Sequence, residues 1–230
     1  MSKILRRGES GFGILIENDA GYVSHDLNKE VLTESFQLSQ LKENEPVIIT
    51  CILQKWGVKN KNGRIYPQNI LVPQVEEYQK VVENNSGMGE VDHPESSTIS
   101  LGNISHLITK MWWGTGDLEN VLYGKLKLII TPGFIKYGVV SMPGDKILLF
   151  LMNKIKIGIS SRGVGTLKEI NGENYVQDDF ELVGFDLVSS PSTPGAYLFP
   201  EIETRSSTIN NKNLAESENK MLNAINKFLE

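Results

Sequence analysis

The sequence predicts an α+β fold, since it contains several segments with the periodicity of strands and fewer with that of helices. Apolar and polar residues alternate over residues 121–130 and 154–160, which is the pattern of half-buried strands. Between residues 70 and 82 apolar residues recur at helical spacing instead. Asn171-Gly172 adds a hairpin-turn signal.

The first part of the chain predicts short strands followed by one helix. Residues 11–16 and 31–33 fit short strands, and residues 46–53, rich in β-branched side chains, predict a firm one. Pro67 is suited to opening the helix predicted over residues 70–82.

The second part predicts strands on both sides of a helical block. That block spans residues 134–153, with a break expected at Pro143-Gly144-Asp145. Residues 103–113 predict a strand or a mixed apolar segment that packs into the core, and further strands are predicted at residues 121–130, 164–169 and 175–186.

Composition and charge argue against several classes of protein. The 230 residues, 40% of them hydrophobic, suffice for one large or two small domains with a core. A net charge of −5 argues against a protein whose main function is to bind nucleic acid. No apolar window predicts a signal peptide or a membrane span. The single cysteine, Cys51, lies in an apolar run, which predicts a buried structural thiol in a reducing compartment.

Residues 154–165 are typical of a strand that runs into a glycine-rich turn. Isoleucine occupies alternate positions up to residue 159, so Ser160 lies on the opposite face, and Ser161 lies on the isoleucine face if the strand stays regular. Gly163 and Gly165 would let the backbone aim its N–H groups at one point. An acyl-transfer nucleophile needs such a setting, although an ordinary hairpin turn has the same residues.

Two histidines lie in contrasting settings. Pro94 biases His93 toward an extended or turn backbone, and the carboxylates of Asp92 and Glu95 are adjacent. A histidine held in this way has the features of a general base, and a solvated loop histidine is the alternative. His106 lies in an apolar segment and fits a structural histidine.

Asp186 stands in the middle of an apolar strand. A buried carboxylate is costly unless it accepts hydrogen bonds or pairs with a cation, so this residue needs a partner, for which a histidine is suited. The alternative is a carboxylate that caps a backbone turn near Ser189 and Ser190.

The last thirty residues differ from the rest. Residues 201–220 are polar and fit a flexible linker, and apolar residues at helical spacing over 214–229 predict a short amphipathic tail helix.

Several short stretches, taken together, resemble the prohead core proteases of T-even-type tailed bacteriophages. The stretches that carry this resemblance are residues 60–67, 89–94, 111–113, 158–163, 184–186 and 191–192. The similarity covers about residues 45–200. It implies a protease domain over residues 46–200, with residues 1–45, which match poorly, as a propeptide or extra strands.

This resemblance also implies a fold and a catalytic triad. The family has a compact antiparallel β-barrel-like core with flanking helices, similar to the herpesvirus assembly proteases. Its catalytic histidine corresponds to His93 and its serine to the Ser160-Ser161 pair, of which Ser160 is preferred because the motif and the strand alternation agree. Asp186 is the preferred third member, with Glu181 in reserve.

The same resemblance implies the supporting residues and the chemistry. Backbone amides around Ser161, Arg162 and Gly163 would stabilise the oxyanion, with no cofactor and no metal. Lys154 and Lys156 are candidates for a glutamate pocket, because they are cationic and near the nucleophile.

The implied activity is that of a serine endopeptidase that matures phage capsids. Its substrates would be the major capsid protein and the internal scaffold proteins, inside the prohead in the host cytoplasm. A homo-oligomer is expected in the prohead core, with no nucleic-acid or membrane partner. The family cleaves after glutamate with an aliphatic residue two positions earlier, so Leu214-Ala215-Glu216 predicts self-cleavage after Glu216.

Two other functions compete with this interpretation. A metal-dependent hydrolase would use Asp92, His93, Glu95 and His106, but their spacing is not that of a standard zinc site. A non-enzymatic phage scaffold or barrel-type structural protein is the second alternative, because fold by itself does not define function.

Overall fold

The computed structural model describes residues 13–16 and 45–200, which form three sheets and a few helices. In this part of the chain the strands are β1 (Gly13–Ile16), β2 (Ile48–Lys55), β3 (Arg64–Ile65), β4 (Met88–Glu90), β5 (Ile104–Trp113), β6 (Val121–Leu128), β7 (Gly158–Gly165), β8 (Leu167–Ile170), β9 (Glu173–Val176), β10 (Glu181–Val188) and β11 (Phe199–Pro200). The α-helices are α1 (Gln68–Glu83), α2 (Pro132–Tyr137) and α3 (Pro143–Met152). The predicted mixture of strands and helices is confirmed.

The two larger sheets are antiparallel and lie edge to edge. One has the strand order β11-β2-β6-β5-β4, and the other has the order β1-β7-β10. They meet at two isolated bridges, Val91 with Leu187 and Gly158 with Tyr197. No continuous ladder closes the described strands into a barrel, so the expectation of a barrel-like core is corrected to open sheets joined by single bridges.

The third sheet is smaller and contains the predicted hairpin. It has the order β3-β9-β8, in which β3 runs parallel to β9. Asn171 and Gly172, between β8 and β9, have φ values of 54° and 80°. Positive φ at both central residues is what a two-residue hairpin turn requires, so the turn signal in the sequence is confirmed.

Helix α1 forms where helical spacing predicts it and is anchored by one apolar face. That face consists of Leu71, Val75, Tyr78 and Val82, all buried. Each such side chain contributes about 1.5–3 kcal/mol when it is removed from water. The Tyr78 ring packs edge-on against Phe185 of β10 with ring centroids 5.6 Å apart, so α1 fixes the strand that carries Asp186.

Strands β2 and β6 form much of the core through alternating apolar side chains. Ile49, Cys51 and Leu53 of β2 are buried, as are Leu122 and Leu126 of β6. Burial raises the pKa of the Cys51 thiol, which confirms the prediction of a structural thiol.

The helical block contains two helices, with its break earlier than predicted. Helix α2 ends at Gly138, which has a φ of 69°, and Pro143 opens α3 instead of interrupting a helix. The Asp145 carboxylate accepts hydrogen bonds from the backbone N–H groups of Thr131, Ser141 and Met142. Burial opposes ionisation of Asp145, but these hydrogen bonds prevail and lower its pKa. Pro143-Gly144-Asp145 is therefore a helix start.

Strand β7 departs most from the prediction. It begins at Gly158 and continues to Gly165, so the predicted turn after Ser160 is wrong, and residues 154–157 lie before the strand. A Cβ on Gly163 would lie 2.4 Å from the Phe180 ring, and one on Gly165 would lie 2.9 Å from Phe180 Cα. These glycines therefore allow close packing in a strand and do not form a turn.

Other predictions concern segments at the ends of the chain. The strand predicted at residues 11–16 is present as β1, which pairs with β7. Residues 31–33 and the tail over 214–229 lie outside the described residues, and the predicted boundaries at residues 46 and 200 stay predictions. Within the described part, none of the helices has the length and apolarity to cross a membrane.

Candidate active site

Strands β7 and β10 place Ser160 directly opposite Asp186. The two residues are Cα partners in the antiparallel ladder, and the irregularity in that ladder lies further along, between Leu182 and Gly184. Directly opposed residues project from the same face with Cβ atoms about 5 Å apart. Ser160 and Asp186 are both fully buried, so the predicted nucleophile and the predicted carboxylate share one buried face.

His93 reaches the same face from the segment that follows β4. Val91 bridges Leu187 of β10, and Asp92, with a φ of 60°, donates its backbone N–H to the Leu187 carbonyl at 2.8 Å. This anchoring holds the His93 ring so that Nδ1 lies 2.9 Å from Asp186 Oδ2. Both side chains are fully removed from solvent.

The two ring nitrogens of His93 differ in what they contact. Nδ1 faces a carboxylate, which can only accept, so Nδ1 carries a proton, and in the neutral ring Nε2 has the lone pair. Nε2 is buried and has no hydrogen-bond partner among the described residues. A buried imidazole with an oriented Nδ1–H and an available Nε2 is able to act as a general base.

A buried guanidinium lies against the same carboxylate. Arg162, two residues after Ser160 on β7, donates from one terminal nitrogen to Asp186 Oδ1 at 3.2 Å and to Glu90 Oε2 at 2.6 Å. Its Nε lies 2.8 Å from Asp186 Oδ2, close enough for an ion pair but not aligned for a hydrogen bond. The other terminal nitrogen donates to the Ser96 carbonyl at 2.6 Å. Arg162 thereby joins the carboxylate to the segment that carries His93.

Comparison with known proteins assigns a family to this arrangement. A profile of the prohead core protein serine proteases matches residues 27–208. The chain belongs to this family. The family resemblance inferred from short motifs is confirmed.

A sequence match and a structural match to this protease both come from one phage. The chain is 32% identical over 180 residues to the prohead core protein protease of Enterobacteria phage T4, covering 77% of this chain and 79% of that protein. It also resembles the solved structure of the bacteriophage T4 capsid assembly protease, gp21. The TM-score is 0.59 at 27% identity, and the match covers 78% of this chain and 99% of that one.

The second serine of the pair faces the other side of the protease's β7 strand. Ser161 Oγ accepts a hydrogen bond from Gln54 Nε2 at 2.8 Å, and Gln54 Oε1 accepts one from Thr193 Oγ1 at 2.7 Å. These side chains are buried and neutral. Because β7 stays regular through Ser161, strand alternation correctly separates the two serines, and Ser160 is the one on the face with Asp186.

His106 fits the structural histidine that the sequence predicts. It is fully buried on β5, with Nδ1 2.9 Å from Ser105 Oγ and Nε2 3.1 Å from the Phe185 carbonyl. Burial lowers the pKa of His106 to about 4, against an opposing effect of the Asp186 charge. Because both of its nitrogens are engaged, His106 is not placed to join Asp92, His93 and Glu95 as a metal ligand.

Several other predicted residues lie apart from the buried cluster. Lys154 and Lys156 are exposed and precede β7, and Glu181 is exposed on β10. Gly163 pairs with Leu182 on one side of β7 and with Leu15 on the other, so the expected loop of free amides is replaced by sheet pairing.

Glu90 is a buried member of this cluster that was not predicted from the sequence. This residue is fully buried and pairs with Arg162, and its Oε1 accepts a hydrogen bond from the Ser100 N–H at 3.1 Å. Its backbone N–H also donates to Asp186 Oδ1 at 3.1 Å. The signal was its position three residues before His93, within one of the motifs that carry the resemblance.

Proposed function

We propose that this chain is a serine endopeptidase that cleaves the scaffold proteins and the major capsid protein inside the phage prohead in the host cell. Its triad is Ser160 as nucleophile, His93 as general base and Asp186 as the group that orients the base. The observation that carries the proposal is the 2.9 Å contact of His93 Nδ1 with the carboxylate that lies opposite Ser160 in the sheet.

In the proposed mechanism His93 first accepts a proton and then donates it. His93 Nε2 takes the proton of the Ser160 hydroxyl while the oxygen attacks the scissile carbonyl, and the imidazolium later gives that proton to the leaving amine. Asp186 keeps Nδ1 protonated and stabilises the imidazolium. Water then hydrolyses the acyl-enzyme with the same base, which regenerates Ser160.

The oxyanion donors are proposed among the amides of residues 161–163. Ile159 donates its N–H to the Ala196 carbonyl across one edge of β7, and strand alternation aims the Ser161 and Gly163 N–H groups at that same edge. Gly163 already lies opposite Leu15 of β1. The Ser161 amide is therefore the preferred donor, and such a donor is worth about 3 kcal/mol of barrier.

Cleavage after glutamate, including self-cleavage after Glu216, is part of the proposal. Glu216 lies outside the described residues. Arg162 is engaged by two carboxylates, so the cation that binds a substrate glutamate comes from elsewhere, and Lys154 and Lys156 stay candidates. A homo-oligomer in the prohead core and the likeness to herpesvirus assembly proteases also stay predictions.

The test is cleavage of a purified capsid-protein precursor, followed by mass spectrometry, with the wild-type chain and with Ser160→Ala. We expect new C-termini that end in glutamate with the wild type alone, and loss of the segment after Glu216 in the same reaction. Equal cleavage by both proteins would remove Ser160 from the mechanism. No cleavage by either protein would favour a non-enzymatic structural role. Cleavage of the precursor with an intact C-terminus would refute only the self-cleavage.

A further inference from the structure

The buried charges around the His93–Asp186 pair are unbalanced when His93 is neutral. Arg162 contributes one positive charge, while Glu90 and Asp186 contribute two negative ones, and all three side chains are fully buried. Among the residues that the structure describes, this leaves one excess negative charge beside the imidazole. Buried charge is costly unless it is compensated, and an imidazolium at His93 would compensate it.

Glu90 has the shorter contact with the shared guanidinium. The terminal nitrogen of Arg162 lies 2.6 Å from Glu90 Oε2 and 3.2 Å from Asp186 Oδ1. Without the Glu90 charge, Arg162 would neutralise Asp186 alone. The carboxylate that faces His93 would then attract the imidazolium less, since the guanidinium lies against that same carboxylate.

Other titratable groups near this cluster do not supply the missing charge. His106 of β5 contacts the carbonyl next to Asp186, and its pKa of about 4 keeps it neutral near pH 7. Burial and the Asp186 charge raise the pKa of Tyr78 of α1, against the effect of Arg162, so Tyr78 is neutral as well. Asp92 and Glu95, on the segment that carries His93, are exposed to solvent, which screens their charges.

We propose that Glu90 is a positioning residue that compensates Arg162, so that the Asp186 charge remains available to the imidazolium formed during catalysis. This proposal rests on the proposed peptidase function. Glu90 acts through Arg162 and Asp186 and touches no reacting atom. The Glu90–Arg162 ion pair also holds the segment that follows His93 against β7, because Glu90 accepts a hydrogen bond from the Ser100 N–H and Arg162 donates one to the Ser96 carbonyl.

The experiment measures how fast a fluorophosphonate probe labels Ser160 as a function of pH, which needs no protein substrate. Labelling requires a neutral His93 as base, so the rate falls on the acidic side of the profile. In Glu90→Gln we expect the midpoint of this acidic limb to move to lower pH by about one unit, which is about tenfold in proton affinity. A weaker base should also lower the plateau rate, by less than this tenfold change in proton affinity, because the proton is only partly transferred in the transition state.

The double variant Glu90→Gln with Arg162→Gln separates charge from structure. It removes one charge of each sign, so the cluster again has one excess negative charge, as in the wild type. The midpoint should therefore return to that of the wild type, although two side chains are changed instead of one. If Glu90 has a purely structural role, labelling should be slower in both variants, but the midpoint of the acidic limb should stay where it is in the wild type. If Glu90→Gln fails to fold by circular dichroism, Arg162→Gln is compared with the double variant instead. The single change leaves two carboxylates uncompensated, so its midpoint should lie at higher pH than that of the double variant, whereas a purely structural role predicts equal midpoints.

The outcomes distinguish this inference from the function on which it rests. If the probe labels wild type and Ser160→Ala equally, or neither, the peptidase proposal fails. If the wild type is labelled at Ser160 and the Glu90→Gln midpoint stays in place or rises, the peptidase stands and the role of Glu90 is wrong. A double-variant midpoint far from that of the wild type would likewise overturn the charge compensation.

Discussion

A charged buried cluster of this protease lies close to two neutral buried networks. The charged cluster consists of Glu90, His93, Arg162 and Asp186, on the face of β7 that carries Ser160. The neutral networks are the group Gln54, Ser161 and Thr193 and the group Ser105, His106 and the Phe185 carbonyl.

All of these groups are buried, so the charged cluster and the neutral networks differ in two other respects. One is whether each hydrogen-bonding group has a partner, and the other is whether the formal charges cancel. In the neutral networks each hydrogen-bonding group described above has a partner, which is the usual state of a buried polar group. In the charged cluster His93 Nε2 has no partner in the described part of the chain, and the formal charges do not cancel. Burial of a histidine or a serine therefore does not indicate catalysis, and it is the oriented nitrogen beside uncompensated charge that supports the proposed role of His93.

The largest expected effect distinguishes Asp186 from Glu181 as the third member of the proposed triad. Asp186→Asn should lower kcat by about 10⁴-fold, because the amide no longer stabilises the imidazolium or selects the Nδ1–H tautomer. Glu90 still pairs with Arg162 in this variant, so the fold should persist. Precursor cleavage rates measure the effect, with Glu181→Gln as the matched control on the exposed end of β10. Loss of activity in Glu181→Gln alone would reverse the assignment of the third triad member.

A smaller effect concerns His106 and acid stability. The pKa of His106 is about 4 in the folded protein and about 6.5 when unfolded. Between these values the unfolded chain binds more protons, so stability is complete above pH 6.5 and is lost as the pH falls toward 4. From pH 7 to pH 5 the loss attributable to His106 should be about 2 kcal/mol.

Urea unfolding at pH 7 and pH 5 measures this loss. His106→Gln should be less stable at pH 7, because it disturbs the hydrogen bonds to Ser105 and Phe185. It should also lack the His106 part of the pH dependence. Equal changes with pH in the two proteins would show that His106 is not the acid-sensitive group in the neutral networks.

The smallest expected effect lies in the network behind Ser161. Thr193→Val keeps the shape of the side chain but removes the donor to Gln54 Oε1, which still accepts from the Lys55 N–H at 2.9 Å. Stability should fall by about 1 kcal/mol in urea unfolding. Labelling of Ser160 by the fluorophosphonate should stay within about twofold of wild type, a change of less than 0.5 kcal/mol in the barrier. A large loss of labelling would mean that the two faces of β7 are coupled.

Several features of the proposed site follow from local sequence patterns. Period-2 alternation assigned Ser160 and Ser161 to opposite faces, and Pro94 indicated that His93 has a constrained backbone. The carboxylate in an apolar strand indicated that Asp186 needs a partner.

The failures arose where a long-range contact overrides a local preference. Glycines at 163 and 165 are typical of a turn, yet both lie in a strand because Phe180 packs against them. Glu90 was not predicted as a site residue, since its position in a motif near His93 does not reveal that it is buried against Arg162.

The sequence by itself determined the periodicity of several strands and of helix α1, the face on which each serine lies and, through its short motifs, the family. These properties depend on residues a few positions apart, for which backbone geometry sets the relation. Only the tertiary structure decided the register that sets Asp186 against Ser160, the bridge that carries His93 to them and the sharing of one guanidinium by two carboxylates. Those relations join residues far apart in the chain, and they form because the packed sheets and helix α1 together offset the entropy of bringing such residues into contact.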